Sequence, residues 1–254
     1  MKIGCSTWSL GHEMGLEKKV KLLSQTGLRL IEINDTDFSP DGDVDWLADL
    51  LARKELKACS YHSGTDLDKT DPDGRRQAIE GLSKEIRLIS ALGGEILVVH
   101  PSDGKDPETA KRHTSEVVKA VLPLARELGV TLCLENLEHL KMNDLLWIME
   151  QFDNPRLKFI LDTGHLYTHD GGNEGLIKCV DLLKDYLYHI HAEDVDTEGG
   201  HRPVGSGFIE WGRLLKRLSV QGFSGCLMIE VHGEDFYQGV VESRDFLAEK
   251  LRGF

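Results

Sequence analysis

Short apolar runs alternate along the chain with longer segments in which apolar residues recur every three to four positions. The short runs are rich in Ile, Leu and Val, which is typical of buried strands, whereas the longer segments have the spacing of amphipathic helices. Helical spacing is clear at 16–25, 75–92, 109–128 and 176–186. The pattern predicts eight strands, at 2–7, 28–34, 56–62, 95–100, 130–136, 157–163, 187–192 and 225–232.

Repeated strand–helix units over 254 residues predict an α/β fold, because a (β/α)8 TIM barrel needs roughly 250 residues. An open, doubly wound sheet is the competing interpretation. That fold usually carries a glycine-rich phosphate loop after its first strand, and Gly4-Cys5-Ser6-Thr7-Trp8 is not such a loop. No linker or abrupt change of composition divides the chain, so we expect a single-domain barrel over 1–254.

An excess of acidic residues, 43 Asp and Glu against 30 Lys and Arg, gives a formal net charge of −13. This balance weighs against partners such as nucleic acid or an anionic membrane, which attract basic surfaces. No apolar run approaches the roughly 18–20 residues of a membrane span, and the N-terminal segment lacks the apolar core of a signal peptide. The 5 cysteines form no CxxC pair. We therefore expect a cytoplasmic protein with free thiols, and the barrel helices leave a homo-oligomer open.

Side chains suited to chemistry stand at the ends of six consecutive predicted strands. The carboxyl ends of barrel strands meet on one face, where active sites of this fold lie. In strand order, the residues at these ends are His62, His100, Glu135, Asp162, His191 and Glu230.

The two-residue period of a strand predicts that four of these side chains point into the barrel. If Glu135 points inward, Leu134 faces the helices, and the same phase applies to Asp162, His191 and Glu230. Carboxylates at interior positions are costly unless they are neutralised, and no lysine or arginine lies beside them at the strand ends. These four residues therefore predict one divalent-metal site, for which Mn²⁺, Co²⁺, Mg²⁺ and Zn²⁺ are all suitable ions. The alternative is a set of buried polar groups that hydrogen-bond to one another.

The strand-end motifs resemble those of the xylose-isomerase-like TIM-barrel superfamily, over nearly the whole chain. This superfamily includes sugar and sugar-phosphate isomerases and epimerases, inosose dehydratases, hydroxypyruvate isomerases and endonuclease IV. The motifs that carry the resemblance are Glu135-Asn136, Asp162-Thr163-Gly164-His165, His189-Ile190-His191, Gly205-Ser206-Gly207 and Glu230.

The resemblance implies a metal-dependent isomerase or epimerase of a sugar, keto-sugar or sugar phosphate. Its four matching positions hold one metal ion, and Glu135 and Glu230 act as acid and base on opposite faces of the carbohydrate. The ion stabilises an enediolate while one carboxylate removes a proton next to the carbonyl and the other returns one. An inosose-type dehydratase is the alternative on the same scaffold, since loss of a β-hydroxyl then replaces reprotonation.

The resemblance also implies a set of substrate-binding residues. His165 would contact a hydroxyl, Arg202 would bind an oxyanion or hydroxyl, and Trp8 would stack on a sugar face. Each has a plainer alternative in packing, capping or surface exposure. We expect Glu32 and His189 deeper in the barrel, in a structural polar network. The complete set of expected substrate contacts is His62, His100, Glu138, His165, His201, Arg202 and Trp8.

A metal-dependent phosphoesterase similar to endonuclease IV is the second alternative. That pattern has additional histidines, which match His62, His100, His165 and His201, and the first two would hold a second metal ion. However, Gly199 stands where the pattern has a metal-binding aspartate. The loops at 66–73 and 194–198 are acidic, which opposes a DNA-binding surface. A barrel that only binds a sugar is a further alternative, and no feature of the sequence favours it.

Overall fold

Eight parallel strands close into a barrel in the computed structural model, which describes residues 1–11, 13–104, 106–152, 154–232 and 235–253. The barrel strands are β1 (Lys2–Ser6), β2 (Leu30–Asn34), β3 (Lys57–His62), β4 (Ile96–Val99), β5 (Thr131–Glu135), β6 (Leu157–Asp162), β7 (Leu187–Ala192) and β10 (Cys226–Ile229). Around the barrel they follow the order β1-β10-β7-β6-β5-β4-β3-β2. The TIM-barrel prediction is therefore confirmed.

Helices follow the strands and cover the outside of the barrel. Their apolar faces pack inward, and several begin at a side-chain cap, as where Asp43 accepts a hydrogen bond from the Trp46 amide. Among the described residues, no helix combines the length and the apolarity needed to cross a membrane. The α-helices are α1 (Leu16–Gln25), α2 (Val44–Arg53), α3 (Pro72–Ala91), α4 (Pro107–Glu127), α5 (Met142–Glu150), α6 (Thr163–His169), α7 (Gly172–Leu182), α8 (Trp211–Val220) and α9 (Phe236–Leu251).

Among the described residues, the buried apolar side chains form two separate clusters, which agree with the predicted strand phase. The large cluster lies between strands and helices and includes Leu132 and Leu134 of β5. The small cluster fills the barrel interior, where Cys133 packs with Ile160 of β6. Glu135 and Asp162 continue the inward-facing series above this small cluster, at the carboxyl ends of their strands.

Two β-bulges adjust the phase of barrel strands. The register between β2 and β3 moves from Ile31↔Ala58 to Glu32↔Ser60, so Cys59 is an extra residue on β3. An equivalent shift between β6 and β7 leaves Tyr188 as the extra residue. A bulge reverses the facing of all residues that follow it.

The loop after β7 contains structure that the sequence pattern did not predict. β8 (Asp194–Asp196) and β9 (Gly199–Arg202) pair antiparallel as a small hairpin outside the barrel. Asp194 is fully buried and accepts hydrogen bonds from the amides of Gly205 and Ile209 and from the Trp211 indole. This carboxylate holds the hairpin and the following segment against the barrel mouth.

Candidate functional site

The four predicted metal ligands converge on one ring nitrogen of His191. Its Nδ1 lies 3.5 Å from Glu135 Oε1, 3.3 Å from Glu230 Oε2 and 3.9 Å from Asp162 Oδ2. An ion about 2.1 Å from each ligand holds neighbouring ligands about 3.0–3.5 Å apart. The observed spacing is close to that range, so small side-chain rotations would complete a coordination shell.

The donor atoms of this cluster lack partners within the part of the chain that the structure describes. His191 Nδ1 and Asp162 Oδ2 are buried, and neither has a hydrogen-bond partner of good geometry there; the same holds for Glu135 Oε2, on the side of Glu135 that faces His62 and His100. Buried polar atoms are nearly always satisfied in folded proteins, so a convergent group of unsatisfied ones indicates a site for a ligand. Oxygen and imidazole donors fit a divalent cation.

Glu32 holds the opposite edge of the His191 ring. His191 Nε2 lies 3.1 Å from Glu32 Oε1, and the Ser60 hydroxyl donates to Glu32 Oε2 at 2.7 Å. Burial raises the pKa of Glu32, but the charge and hydrogen bond of His191, together with the charges of His62 and His189, lower it to about 2. An ionised carboxylate therefore fixes the imidazole so that Nδ1 faces the cluster, an arrangement typical of histidines that bind metals.

Asp162 is positioned by backbone contacts at the start of α6. Its Oδ1 caps the helix by accepting from the His165 amide at 2.7 Å. The Asn136 side chain donates to the Asp162 carbonyl at 3.0 Å and accepts from the Asp162 amide at 2.8 Å. With one carboxylate oxygen used as a cap, Oδ2 is directed towards His191.

Glu135 presents its two oxygens to different sets of histidines. Oε1 lies 3.5 Å from both His191 Nδ1 and His165 Nδ1, whereas Oε2 lies 3.5 Å from His62 Nε2 and 3.3 Å from His100 Nε2. Burial raises the pKa of Glu135, but the charges of His191 and His100 hold it well below its usual value. Burial opposes protonation of His62, yet the contact with Glu135 raises its pKa to about 9.

Glu230 differs from Glu135 in its electrostatic environment. Burial raises the pKa of Glu230 to about 7, although the charges of His191 and His62 act in the opposite direction. The charge of Asp162, against the effect of burial, raises the pKa of His165 to about 10. Without a bound cation, the cluster therefore retains protons on its histidines, and an ion would have to displace them.

Glu193 is a site residue that the sequence analysis missed. Its carboxylate is 1 % exposed, and Oε2 lies 2.8 Å from His201 Nδ1. Ligand atoms of His165, Glu193 and His201 all lie within 4.8 Å of one another. Burial and the neighbouring Asp162 raise the pKa of Glu193 well above its usual value. The sequence does contain a signal for it. Glu193 follows His189 and His191 at two-residue spacing, which predicts that its side chain also faces inward.

A cavity of about 370 Å³ opens beside this cluster at the carboxyl face of the barrel, and Trp8, His62 and His100 line it. The Trp8 ring also contacts His201, with ring centroids 4.6 Å apart. This volume suits a small polar ligand such as a monosaccharide.

The other two predicted substrate contacts lie further out. Glu138 is exposed in the loop after β5. Arg202 pairs with two carboxylates of its own hairpin, at 3.0 Å from Asp196 Oδ2 and 2.9 Å from Glu198 Oε2. A ligand that uses Arg202 would therefore compete with these ion pairs.

The family model for the xylose isomerase-like TIM barrel matches residues 20–250. The chain belongs to this family. Three relatives show how varied the named members are. An uncharacterised protein of Methanocaldococcus jannaschii is 23% identical over 97% of this chain and 92% of its own. A probable endonuclease 4 of Acholeplasma laidlawii is 27% identical over 62% and 60%. An L-ribulose-5-phosphate 3-epimerase of Shigella boydii serotype 18 is 26% identical over 76% and 70%.

Solved structures show the same fold over the whole chain. A D-tagatose 3-epimerase-like protein matches with a TM-score of 0.84 at 21% identity, covering 99% of this chain and 97% of that one. The IOLI protein, solved with a binding zinc atom, matches with a TM-score of 0.85 at 18% identity, covering 100% and 99%. Relatives and structural neighbours thus include proteins named as sugar epimerases, and further relatives are named inosose isomerases.

Proposed function

We propose that the protein is a divalent-metal-dependent isomerase or epimerase of a sugar, keto-sugar or sugar phosphate. The observation that carries this proposal is the convergence of Glu135, Asp162, His191 and Glu230 on one buried point beside an open cavity. The sugar epimerases among its relatives support the same reading. The substrate would enter from the carboxyl face of the barrel.

The reaction requires removal of a weakly acidic proton from the carbon next to a carbonyl. A bound divalent ion would supply Lewis-acid polarisation of the carbonyl and neutralise the charge that develops there. Glu135 and Glu230 approach the site from β5 and β10, two strands that β6 and β7 separate. Carboxylates on different sides of a substrate allow one to remove a proton and the other to return it on the opposite face.

The remaining residues around the cavity would bind and orient the sugar. His62 and His100, which line the cavity, and His165, which lies beside Glu135, offer ring N–H groups for hydroxyls, and Trp8 offers an aromatic face. Burial of the cluster limits access of water, which would protect an enediolate from side reactions.

Proton exchange in D₂O tests the proposal before the natural substrate is known. Ketoses and inososes are incubated with protein and Mn²⁺, and NMR follows deuterium entering the carbon next to the carbonyl. We expect exchange with wild-type protein, none with Glu135→Gln or Glu230→Gln, and wild-type exchange with Glu127→Gln, an exposed residue at the end of α4. Loss of a hydroxyl instead of exchange would identify a dehydratase. Exchange that persists in both site variants would refute the proposed acid–base pair.

The two-sided contacts of Glu135 favour a second candidate, a metal-dependent phosphoesterase with two ions. A carboxylate whose oxygens face His191 on one side and His62 and His100 on the other has the geometry of a bridging ligand. Metal analysis separates the candidates: a two-ion site loses one equivalent in His62→Asn/His100→Asn and retains the other. Cleavage of an oligonucleotide with an abasic site, faster than any sugar exchange, would favour this candidate.

A further inference from the structure

A second group of ligand-type side chains lies in the lower half of the barrel, away from the carboxyl face. The sulfurs of Cys59 and Cys226 and a ring nitrogen of His189 all lie within 4.8 Å of one another. No step of the proposed sugar chemistry uses these three residues.

Strand register explains why residues so distant in sequence meet here. Cys226 begins β10 and stands opposite His189 of β7 in the parallel ladder. Cys59 is the extra residue of the bulge in β3, and bulges commonly redirect side chains. The two sulfurs therefore lie within 4.8 Å of each other, although 167 residues separate them in sequence.

His189 is fully buried, and both of its ring nitrogens lack a hydrogen-bond partner within the described ranges. The approach of Glu32 Oε2 to His189 Nε2, at 3.8 Å, is too long for a hydrogen bond. A buried imidazole without partners is costly, and an ion that takes a ring nitrogen as a ligand would remove part of that cost.

A cavity of about 500 Å³ gives access to the two thiols from the amino end of the barrel. Cys59, Cys226 and Lys2 line it, together with Tyr188 of the second bulge. The neighbouring Cys226 lowers the pKa of Cys59, whereas Cys59 and burial raise the pKa of Cys226, an effect that Lys2 opposes. A metal ion would displace the proton that Cys226 keeps, since thiolates are the form that binds metals.

We propose that Cys59, His189 and Cys226 bind a thiophilic cation, Zn²⁺, with a fourth coordination position open to the lower cavity. Two thiolates and one imidazole are typical zinc ligands, with bonds of about 2.3 Å from sulfur and 2.0–2.1 Å from nitrogen. The oxygen-rich cluster at the carboxyl face suits harder ions, so ligand chemistry separates the two sites. This zinc site does not depend on the proposed sugar chemistry.

The test uses the full chain, reduced and stripped of metal. Cobalt is the probe, because thiolate–Co²⁺ complexes absorb in the near ultraviolet whereas oxygen-ligated Co²⁺ does not. We expect this absorption in wild-type protein, its displacement by one equivalent of Zn²⁺, and its loss in Cys59→Ser and Cys226→Ser. Cys179→Ser, a buried cysteine in α7 outside the group, should retain it. Asp162→Asn should also retain the absorption, since that change affects only the oxygen-rich cluster at the carboxyl face.

A measurement on wild-type protein guards against variants that fail to fold. Zn²⁺ should protect Cys59 and Cys226 from alkylation, while Mg²⁺ should not, and peptide mass spectrometry reads the labelled positions. Absence of the cobalt band from reduced wild-type protein would overturn the proposal. Equal alkylation with and without Zn²⁺, or a Cys59–Cys226 disulfide that forms even when Zn²⁺ is present, would also overturn the proposal.

Discussion

The contact between Glu32 and His191 makes a sharp prediction about metal affinity. Glu32→Gln keeps the size of the side chain and an oxygen that can accept from His191 Nε2, but it removes the negative charge. The lost interaction is fully buried, with 3.1 Å between the two groups and a supporting bond from Ser60. Loss of such an outer contact typically weakens metal binding 10–100-fold, which corresponds to about 1.4–2.8 kcal/mol.

Isothermal titration with Mn²⁺ at fixed pH measures this change. Ser60→Ala should shift affinity in the same direction by a smaller amount, because it removes only the hydroxyl that steadies Glu32. Glu17→Gln, an exposed change in the first turn of α1, should bind as wild type. The reasoning is refuted if Glu32→Gln binds Mn²⁺ as tightly as wild type while Asp162→Asn loses the ion.

Three further predictions concern stability. Burial raises the pKa of Glu85 from 4.5 to about 6. The protonated carboxyl group therefore stabilises the folded state fully below pH 4.5, and this stabilisation is lost as the pH rises through 6. In urea unfolding, the loss of stability across that window should therefore be about 2 kcal/mol smaller in Glu85→Gln than in wild type. Asp194→Ala leaves several buried donors unpaired and should cost about 3–5 kcal/mol by the same assay. In thermal unfolding, Gly164→Ala should destabilise because its Cβ would meet the Glu193 side chain, whereas Gly212→Ala, with open space around it, should not.

The cluster at the carboxyl face could be predicted from the sequence, because every second residue of a barrel strand faces inward. Glu135 and Asp162 could be placed in this way because their strands are regular up to the last residue. Glu193 has the same phase as His191, but it lies beyond the predicted end of β7, and the pattern did not indicate the hairpin that follows. Its role beside His201 depends on how that hairpin folds back.

Local sequence patterns do not predict which side chains make contact across the barrel. Glu32 and His191 meet only because β2 and β7 close around the same interior, so sequence reasoning could place Glu32 in a polar network but could not name its partner. A strict two-residue alternation also does not predict the bulge at Cys59. The wide spacing of Cys59 and Cys226 in the sequence indicated free thiols. In the structure, the register between β10 and β7 places Cys226 beside His189, and the bulge in β3 places Cys59 there.

Glu32 connects the two ends of the barrel interior. Its carboxylate lies 3.1 Å from His191 Nε2 and 3.8 Å from His189 Nε2, and both histidines come from β7. The negative charge of Glu32 attracts a cation at either site, whether it is bound beside His191 at the carboxyl face or beside His189 at the thiols. Oxygen ligands lie towards the carboxyl end of the barrel from Glu32, and sulfur ligands lie towards the amino end. Hard cations would therefore prefer the first site and thiophilic cations the second. Ions at the two sites would repel each other directly and would share the attraction of Glu32, so Glu32→Gln should weaken cation binding at both sites.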